Sequence, residues 1–177
     1  MSTPCLIEPH DSREVRRAYG RFPTGVVAVC ALDDDRPAGL VASSFTSVSL
    51  DPPLVSISMQ HTSTTWPRLA RLPRLGVSVM AAGQREICAR LAARGADRFA
   101  GVRRSVTRDG AVLIDDAAAW LECSVHDTVA AGDHDVILLR VRAGAIDPAA
   151  EPLVFHDSGY RLLAGRPMTT APRGACS

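Results

Sequence analysis

A segment rich in small hydroxyl residues, at positions 42–55, is the first feature that could take part in binding or chemistry. It reads Ala42-Ser43-Ser44-Phe45-Thr46-Ser47-Val48-Ser49-Leu50 and ends at Asp51-Pro52-Pro53-Leu54-Val55. Small side chains allow a flat ligand or a phosphate to approach the main chain, whose N–H groups then serve as donors. The alternative is a sheet edge that runs into a turn rich in serine and threonine. This segment alone leaves both interpretations open.

Histidines and cysteines are the other candidates for chemistry. A hairpin would bring His126 and Asp127 close to Asp133 and His134, but the spacing is not that of a zinc or iron site. We therefore expect no metal. The five cysteines are an odd number without a Cys-x-x-Cys pair, which is typical of a reducing cytosol. We expect Cys30 and Cys123 to be core residues rather than nucleophiles, since no histidine is suitably spaced.

Length, composition and charge limit the classes of protein. The 177 residues are 46% hydrophobic, which suits one globular domain, and we expect it to span residues 1–165 with a disordered tail at 166–177. The net charge is only +1, from 20 arginines and 19 acidic residues, which argues against a general nucleic-acid binder. The start of the chain lacks the apolar core of a signal peptide, and no apolar run could span a bilayer. We expect a cytoplasmic protein.

The elements that must position these residues are mostly strands. Alternating or β-branched apolar runs predict strands at 26–32, 40–41, 54–59, 75–80, 120–125, 136–142 and 153–155. Residues 33–39 form a solvated turn, so the first two strands make a hairpin. Capping patterns predict helices from Asp11 to Gly20, after Thr64 or Thr65, and from Gln84 to Arg94 with Gly95 as the stop.

Hairpin-linked strands with inserted helices favour a mainly β protein, an antiparallel barrel with a few peripheral helices. The glycine fingerprints of doubly wound dinucleotide-binding folds and of P-loop proteins are absent from the sequence. The ligand, if there is one, must therefore be held by other means.

Seven motifs occur in an order that carries a family resemblance. They are Phe-Pro-Thr-Gly-Val-Val-Ala-Val at 22–29, the segment 42–55, Ser63-Thr64-Thr65-Trp66, Asp97-Arg98-Phe99-Ala100-Gly101, Ala131-Gly132-Asp133-His134, Pro152-Leu153-Val154 and Tyr160. Over residues 14–163 the chain resembles the short-chain flavin reductases, the reductase components of two-component flavin-dependent monooxygenases. The resemblance implies the flavin-binding split barrel, a Greek-key antiparallel sheet that usually works as a homodimer.

The resemblance also implies roles for individual residues. Thr24, Gly25 and Val26, together with Ala42, Ser43, Ser44, Phe45 and Thr46, would face the isoalloxazine ring. Ser63, Thr64 and Thr65, followed by Trp66, would hold the flavin phosphate at a helix start, with Arg98 and its neighbour Phe99 beside it. His134 would contact the nicotinamide, and Tyr160 would contact the nucleotide or the flavin.

The activity implied is reduction of FMN or FAD by NADH or NADPH, followed by release of the reduced flavin to a separate monooxygenase. Hydride transfer between two cofactors needs no protein nucleophile, so the lack of a Ser-His-Asp or Cys-His arrangement is expected. Two alternatives remain: a relative of the same fold that keeps its flavin and acts on an organic substrate, and a non-catalytic module that binds flavin, haem or pyridoxal. A nucleic-acid-binding Greek-key barrel is disfavoured by the neutral charge and the scarcity of aromatic residues.

Overall fold

Strands make up most of the computed structural model, which describes residues 10–93, 95 and 97–163. The helices are α1 (Ser12–Gly20), α2 (Trp66–Leu69) and α3 (Arg85–Ala92), with a 3-10 helix at Ala82–Gln84. The strands are β1 (Thr24–Gly25), β2 (Val27–Asp33), β3 (Arg36–Ala42), β4 (Thr46–Leu50), β5 (Pro53–Gln60), β6 (Leu75–Val79), β7 (Arg104–Val106), β8 (Val112–Ile114), β9 (Ala119–Ala131), β10 (His134–Ile146), β11 (Val154–His156) and β12 (Gly159–Arg161). This confirms the prediction of a mainly β protein.

Seven strands form one antiparallel sheet in the order β3-β2-β6-β9-β10-β5-β4. Its two end strands, β3 and β4, are joined directly by residues 43–45. Four residues of extended chain reach roughly 14 Å at most, so the two ends of the sheet must lie close together. Ser44 in this connection accepts a hydrogen bond from the Ser58 backbone N–H at 2.9 Å and donates to the Ser58 carbonyl at 3.2 Å. The sheet therefore curls towards closure, as in the predicted barrel.

Strand β2 is buried on both faces, which explains its continuous apolar sequence. Val27, Val29 and Ala31 belong to a core cluster that also contains Ile57, Leu139 and other residues of β5 and β10. The alternate residues, among them Ala28 and Cys30, pack into a second cluster with α3. The sheet thus has an inner core and an outer core, and α3 and the segment after it cover the outer one.

The first predicted elements are confirmed, with one correction. Helix α1 begins after Asp11, whose side chain accepts from the backbone N–H groups of Arg13 and Glu14. The solvated turn predicted at 33–39 is wrong, because the turn of this hairpin is only Asp34-Asp35, both in the left-handed region. Asp33 belongs to the strand and is buried, where two arginines neutralise it.

The helix predictions needed adjustment at their ends. Thr65 precedes α2, but its side chain makes no capping bond, and the hydroxyl that accepts from the Trp66 N–H belongs to Ser63. Helix α3 starts one residue later than predicted and ends at Ala92. Residue 94 lies outside the described residues, and Gly95 has the left-handed backbone expected of a helix stop.

The late strands are longer than the sequence indicated. The predicted strand 120–125 is part of the 13-residue β9, so His126 and Asp127 lie within a strand rather than before a loop. The β7–β8 hairpin was not predicted, and β4 agrees with the sheet edge that was the alternative interpretation of the segment 42–55. β8 packs closely on β6, since a Cβ on Gly76 would stand 2.1 Å from the Val112 carbonyl oxygen. Glycine is therefore required at position 76.

The predicted tail at 166–177 and the cysteines at positions 5 and 176 lie outside the described residues. In the part of the chain that is described, no helix is both long and apolar enough to cross a membrane. Small separate sheets, β1-β11-β12 and β7-β8, complete the fold.

Candidate functional site

An open groove runs across the end of the sheet where β3, β5 and β10 meet. Its first part is a depression of about 350 Å³ that brings together residues from four separate segments of the chain. The predicted residues in it are Ala42, Ser43, Ser44, Ser63 and His134. Residues that the sequence analysis missed also line it, namely Leu40, Val41, Ser58, Met59 and Gln60. The alternation of β5 could have revealed Ser58 and Gln60, which are polar positions of that strand.

The second part of the groove is larger, about 600 Å³, and lies between the start of α2 and the end of α3. Ser63, Thr64, Thr65 and Arg98, all predicted, line it together with Thr62 and Gly95. Gln60 and Ser63 belong to both parts, so the two depressions are continuous. The structure thus brings the hydroxyl run after β5 and the arginine of the Asp-Arg-Phe motif to one cavity.

Hydrogen bonds fix the hydroxyl cluster at the start of α2. The Ser63 hydroxyl accepts from the Trp66 N–H at 3.1 Å, and Arg98 Nη2 donates to the Thr65 hydroxyl at 3.2 Å. Arg98 Nη1 also donates to the Leu91 carbonyl at 3.3 Å, which holds the half-buried guanidinium against the end of α3. Helix α2 has only four residues, so its dipole contributes little. The attraction for an anion comes instead from Arg98 and the hydroxyls.

His134 stands at the beginning of β10, at the rim of the first depression. Its Nδ1 lies 2.7 Å from a carboxylate oxygen of Asp133, and this hydrogen bond holds the pKa of Asp133 below its ordinary value. A second histidine pair stands next to it, with His61 Nε2 3.0 Å from Asp135. With Nδ1 engaged, the other ring nitrogen of His134 remains available to a ligand.

Three predicted residues lie in the small sheet rather than around the groove. Thr24 and Gly25 form β1 and pair with Phe155 and Val154 of β11. Tyr160 on β12 meets the Phe155 ring edge-on at 5.6 Å, and burial raises the pKa of its phenol. Their strands, β1 and β12, both pair with β11, and these residues do not line the depressions described above.

Five further predicted residues are packed or peripheral. Val26 is 1% exposed and Trp66 is 8% exposed, so both side chains belong to the core. Phe45 packs against the inner core, and Thr46 is exposed on the edge strand β4. Phe99 is 4% exposed and lies in the outer core, where it also forms one wall of a third cavity.

The buried thiols are not suited to nucleophilic chemistry. Cys30, Cys88 and Cys123 are fully buried. Burial raises the pKa of the Cys30 and Cys123 thiols to about 12 and that of Cys88 to about 11, so the reactive thiolate is scarce near neutral pH. The predicted core role of Cys30 and Cys123 is confirmed.

The chain is similar in sequence to known proteins over most of its length. A family model described as the flavin reductase like domain matches residues 19–164. A flavin reductase from Pseudomonas putida is 36% identical over 151 residues, 85% of this chain and 89% of that protein. The reductase subunit of a flavin-dependent monooxygenase from Rhodococcus jostii is 33% identical over 165 residues, 93% of this chain and 85% of that protein.

A solved structure gives the same result for the fold. The NADH:FAD oxidoreductase of Streptomyces globisporus, in complex with NAD and FAD fragments, superposes with a TM-score of 0.87 at 37% identity. The match covers 93% of this chain and 100% of that chain. With the family model spanning most of its length, this chain belongs to the flavin reductase-like domain family.

Proposed function

We propose that this protein transfers hydride from NADH or NADPH to FMN or FAD and releases the reduced flavin for use by a separate monooxygenase. The observation that carries this proposal is the continuous groove, which joins a hydroxyl-lined depression beside His134 to a cavity containing Ser63, Thr64, Thr65 and Arg98. The relatives described above are flavin reductases or reductase subunits. The two cofactors supply the reactivity, so the protein's task is to bind and orient them.

The phosphate of the flavin is assigned to the cavity between α2 and α3. Arg98 is the only cation among the residues around that cavity in the described part of the chain, and its planar fork suits a phosphate. The hydroxyls of Ser63 and Thr64 stand on the same wall. A phosphate there would replace water around Arg98 with a charge-assisted hydrogen bond.

The isoalloxazine ring is assigned to the depression beyond Ser63. Ala42, Ser43 and Ser44 present small side chains there, which permit close approach of a planar ring to the main chain. The Ser44 hydroxyl already accepts from the Ser58 N–H and donates to the Ser58 carbonyl, so its role is to shape the wall rather than to contact the ring. The openness of the groove to solvent suits a flavin that enters and leaves.

The nicotinamide is assigned to the rim beside His134. The hydrogen bond between His134 and Asp133 fixes the orientation of the imidazole, so that this ring presents a constant face to a ligand. Stacking the nicotinamide against the flavin at contact distance is the positioning that accelerates hydride transfer. Thr24, Gly25 and Tyr160 stay predictions as ligand contacts, because they lie in the small sheet.

We further propose that the protein works as a homodimer. Large apolar side chains are exposed on the edge strand β4 and at the C-terminal end of β10, with Leu50 at 95% and Ile146 at 76%. Val48 on β4 is half exposed; Val129 on β9 is half exposed too, but it lies at the opposite end of the β9–β10 pair from Ile146. Exposed apolar side chains on an edge strand are typical of a protein interface, and a second copy would cover those of β4.

The test is to mix the purified protein with NADH and free FMN and to follow the loss of nicotinamide absorbance. Flavin-dependent oxidation that saturates with added FMN is the expected result. Repeating the assay with FAD and with NADPH identifies the preferred pair. Absence of oxidation with all four pairings would overturn the proposal. Flavin that stays bound through purification and is not released on reduction would favour a relative that keeps its flavin.

A further inference from the structure

A third cavity, of about 580 Å³, shares Arg98 with the proposed phosphate site. Four arginines line it: Arg36 at the start of β3, Arg68 on α2, Arg98, and Arg104 at the start of β7. We call this the arginine cavity. In a chain whose net charge is only +1, four guanidinium groups around one cavity are a marked local concentration of positive charge.

Hydrogen bonds hold two of these arginines, Arg68 and Arg104, in place. Arg68 Nε donates to the buried Asp33 carboxylate at 2.7 Å. Arg104 Nη1 donates to the carbonyls of Val102 at 3.1 Å and Phe99 at 3.3 Å, and its guanidinium lies 5.6 Å from the centre of the Phe99 ring. Since each guanidinium carries five N–H donors, donors remain for a ligand after these bonds are made.

Positive charge exceeds negative charge in this cavity. Asp97 is the acidic residue on its wall, and its carboxylate accepts from the Phe99 backbone N–H at 3.0 Å. Asp33 offsets Arg68, so Arg36, Arg98 and Arg104 outnumber the one remaining carboxylate. The side chains of Pro37 and Ala38 add a small apolar surface to the same wall. A nucleotide fits this cavity, because its phosphate matches the positive charge and its base matches the apolar surface.

Arg98 lines both the proposed phosphate site and the arginine cavity, so the two cavities adjoin at this side chain. FMN ends at its single phosphate, whereas FAD continues with a second phosphate, a ribose and an adenine. We propose that the arginine cavity binds the adenosine monophosphate half of FAD, with the second phosphate on the arginines. The inference rests on the proposed function, and it makes FAD the preferred flavin of this protein.

The test replaces Arg36 and Arg104, which line the arginine cavity but not the groove. Steady-state KM values for FAD, FMN, NADH and NADPH are measured for the unaltered protein, for Arg36→Ala with Arg104→Ala, and for the matched control Arg108→Ala. Arg108 is exposed in the β7–β8 connection and is not among the residues of the cavity. Loss of two arginine contacts is expected to raise the KM for FAD about tenfold and to leave that for FMN within about twofold.

The alternative outcomes have distinct meanings. Equal KM changes for FAD and FMN, or no change in either, would overturn the arginine cavity while leaving flavin reduction intact. A rise confined to NADH or NADPH would also overturn it, because the adenosine would then belong to the nicotinamide nucleotide. Failure of the unaltered protein to reduce any flavin would instead contradict the proposed function.

A direct binding measurement makes the test independent of catalysis. Calorimetric titration of the unaltered protein with adenosine monophosphate is expected to show binding, and the double variant is expected to lose it. FMN titrated into the same two proteins should bind equally well. Adenosine monophosphate binding that persists in the double variant, with circular dichroism showing both proteins folded, would contradict the assignment.

Discussion

The groove and the small sheet each contain some of the motif residues, but their surroundings in the two regions differ. In the groove, Ser43, Ser63 and His134 come from distant segments and line open space. In the small sheet, Thr24 and Tyr160 sit on strands that both pair with β11. Residues of the first kind are placed to contact a ligand, whereas those of the second kind first hold the sheet together. Motif similarity alone does not separate these roles.

The largest effect is expected in the groove at Arg98. Replacing Arg98 with alanine removes the cation from the cavity between α2 and α3, and a charged hydrogen bond is worth about 1.5–3 kcal/mol. The KM for FMN should therefore rise at least about tenfold. Arg98→Lys keeps the charge but loses the planar fork. Its KM for FMN should lie between the values of the unaltered protein and of Arg98→Ala. An unchanged KM for FMN in a folded Arg98→Ala protein would mean that the groove is not the flavin site.

His134→Ala should raise the apparent KM for the nicotinamide nucleotide about fivefold, with little change for flavin, because one imidazole contact is lost. Asp133→Asn is the companion variant, since it keeps the imidazole and weakens only the bond that orients it. It should show a smaller rise of the same kind. Equal KM values for the nicotinamide nucleotide in His134→Ala and the unaltered protein would remove the histidine from the proposed site.

The free energy of unfolding should depend on pH through Asp33, whose carboxylate pairs with Arg68 on α2 beside the groove. Hydrogen bonds from Arg68 and then Arg71 hold the pKa of this carboxyl below its ordinary value. The stabilisation is thus fully present above the unfolded-state pKa, about 3.9, and is lost as the pH falls through the lower folded-state value. The free energy of unfolding of Asp33→Asn should therefore lie below that of the unaltered protein at neutral pH, and the two should converge at acid pH.

Urea unfolding from about pH 7 down to about pH 3 measures this difference. Asp35→Asn serves as the control, because Asp35 is exposed in the adjacent turn. Its difference from the unaltered protein should stay small at every pH. A gap between Asp33→Asn and the unaltered protein that persists undiminished at acid pH would show that packing, and not the ion pairs, is responsible.

The smallest effect is expected in the small sheet. Tyr160→Phe keeps the edge-on packing against Phe155 and removes only a hydroxyl. The KM values for flavin and nicotinamide should change by no more than about twofold, the size of one weak neutral hydrogen bond. A tenfold rise would break the distinction between the two regions and would support the ligand contact of Tyr160 that the family resemblance implies.

Much of the fold follows from local patterns. The apolar alternation of β5 and the continuous run of β2 predicted strands, and the Asp11 cap predicted α1. The errors have physical causes. The sequence Asp33-Asp34-Asp35 cannot be told from a solvated turn until the structure shows that Arg68 on α2 and Arg71 just after it neutralise Asp33. The C-terminal halves of β9 and β10 are exposed and lack a pattern of buried apolar residues, so the sequence did not indicate how long these strands are.

The sequence by itself determined the family, the antiparallel barrel and the enzyme class, because hydrophobic period and ordered motifs are properties of the chain. Only the tertiary structure decided which motif residues share a cavity. Gln60 and Ser58 joined the groove, and Arg36 and Arg104 met Arg98, through contacts between segments far apart in sequence. The physical reason is that a binding site requires side chains to meet in space, and strand order and register set those meetings.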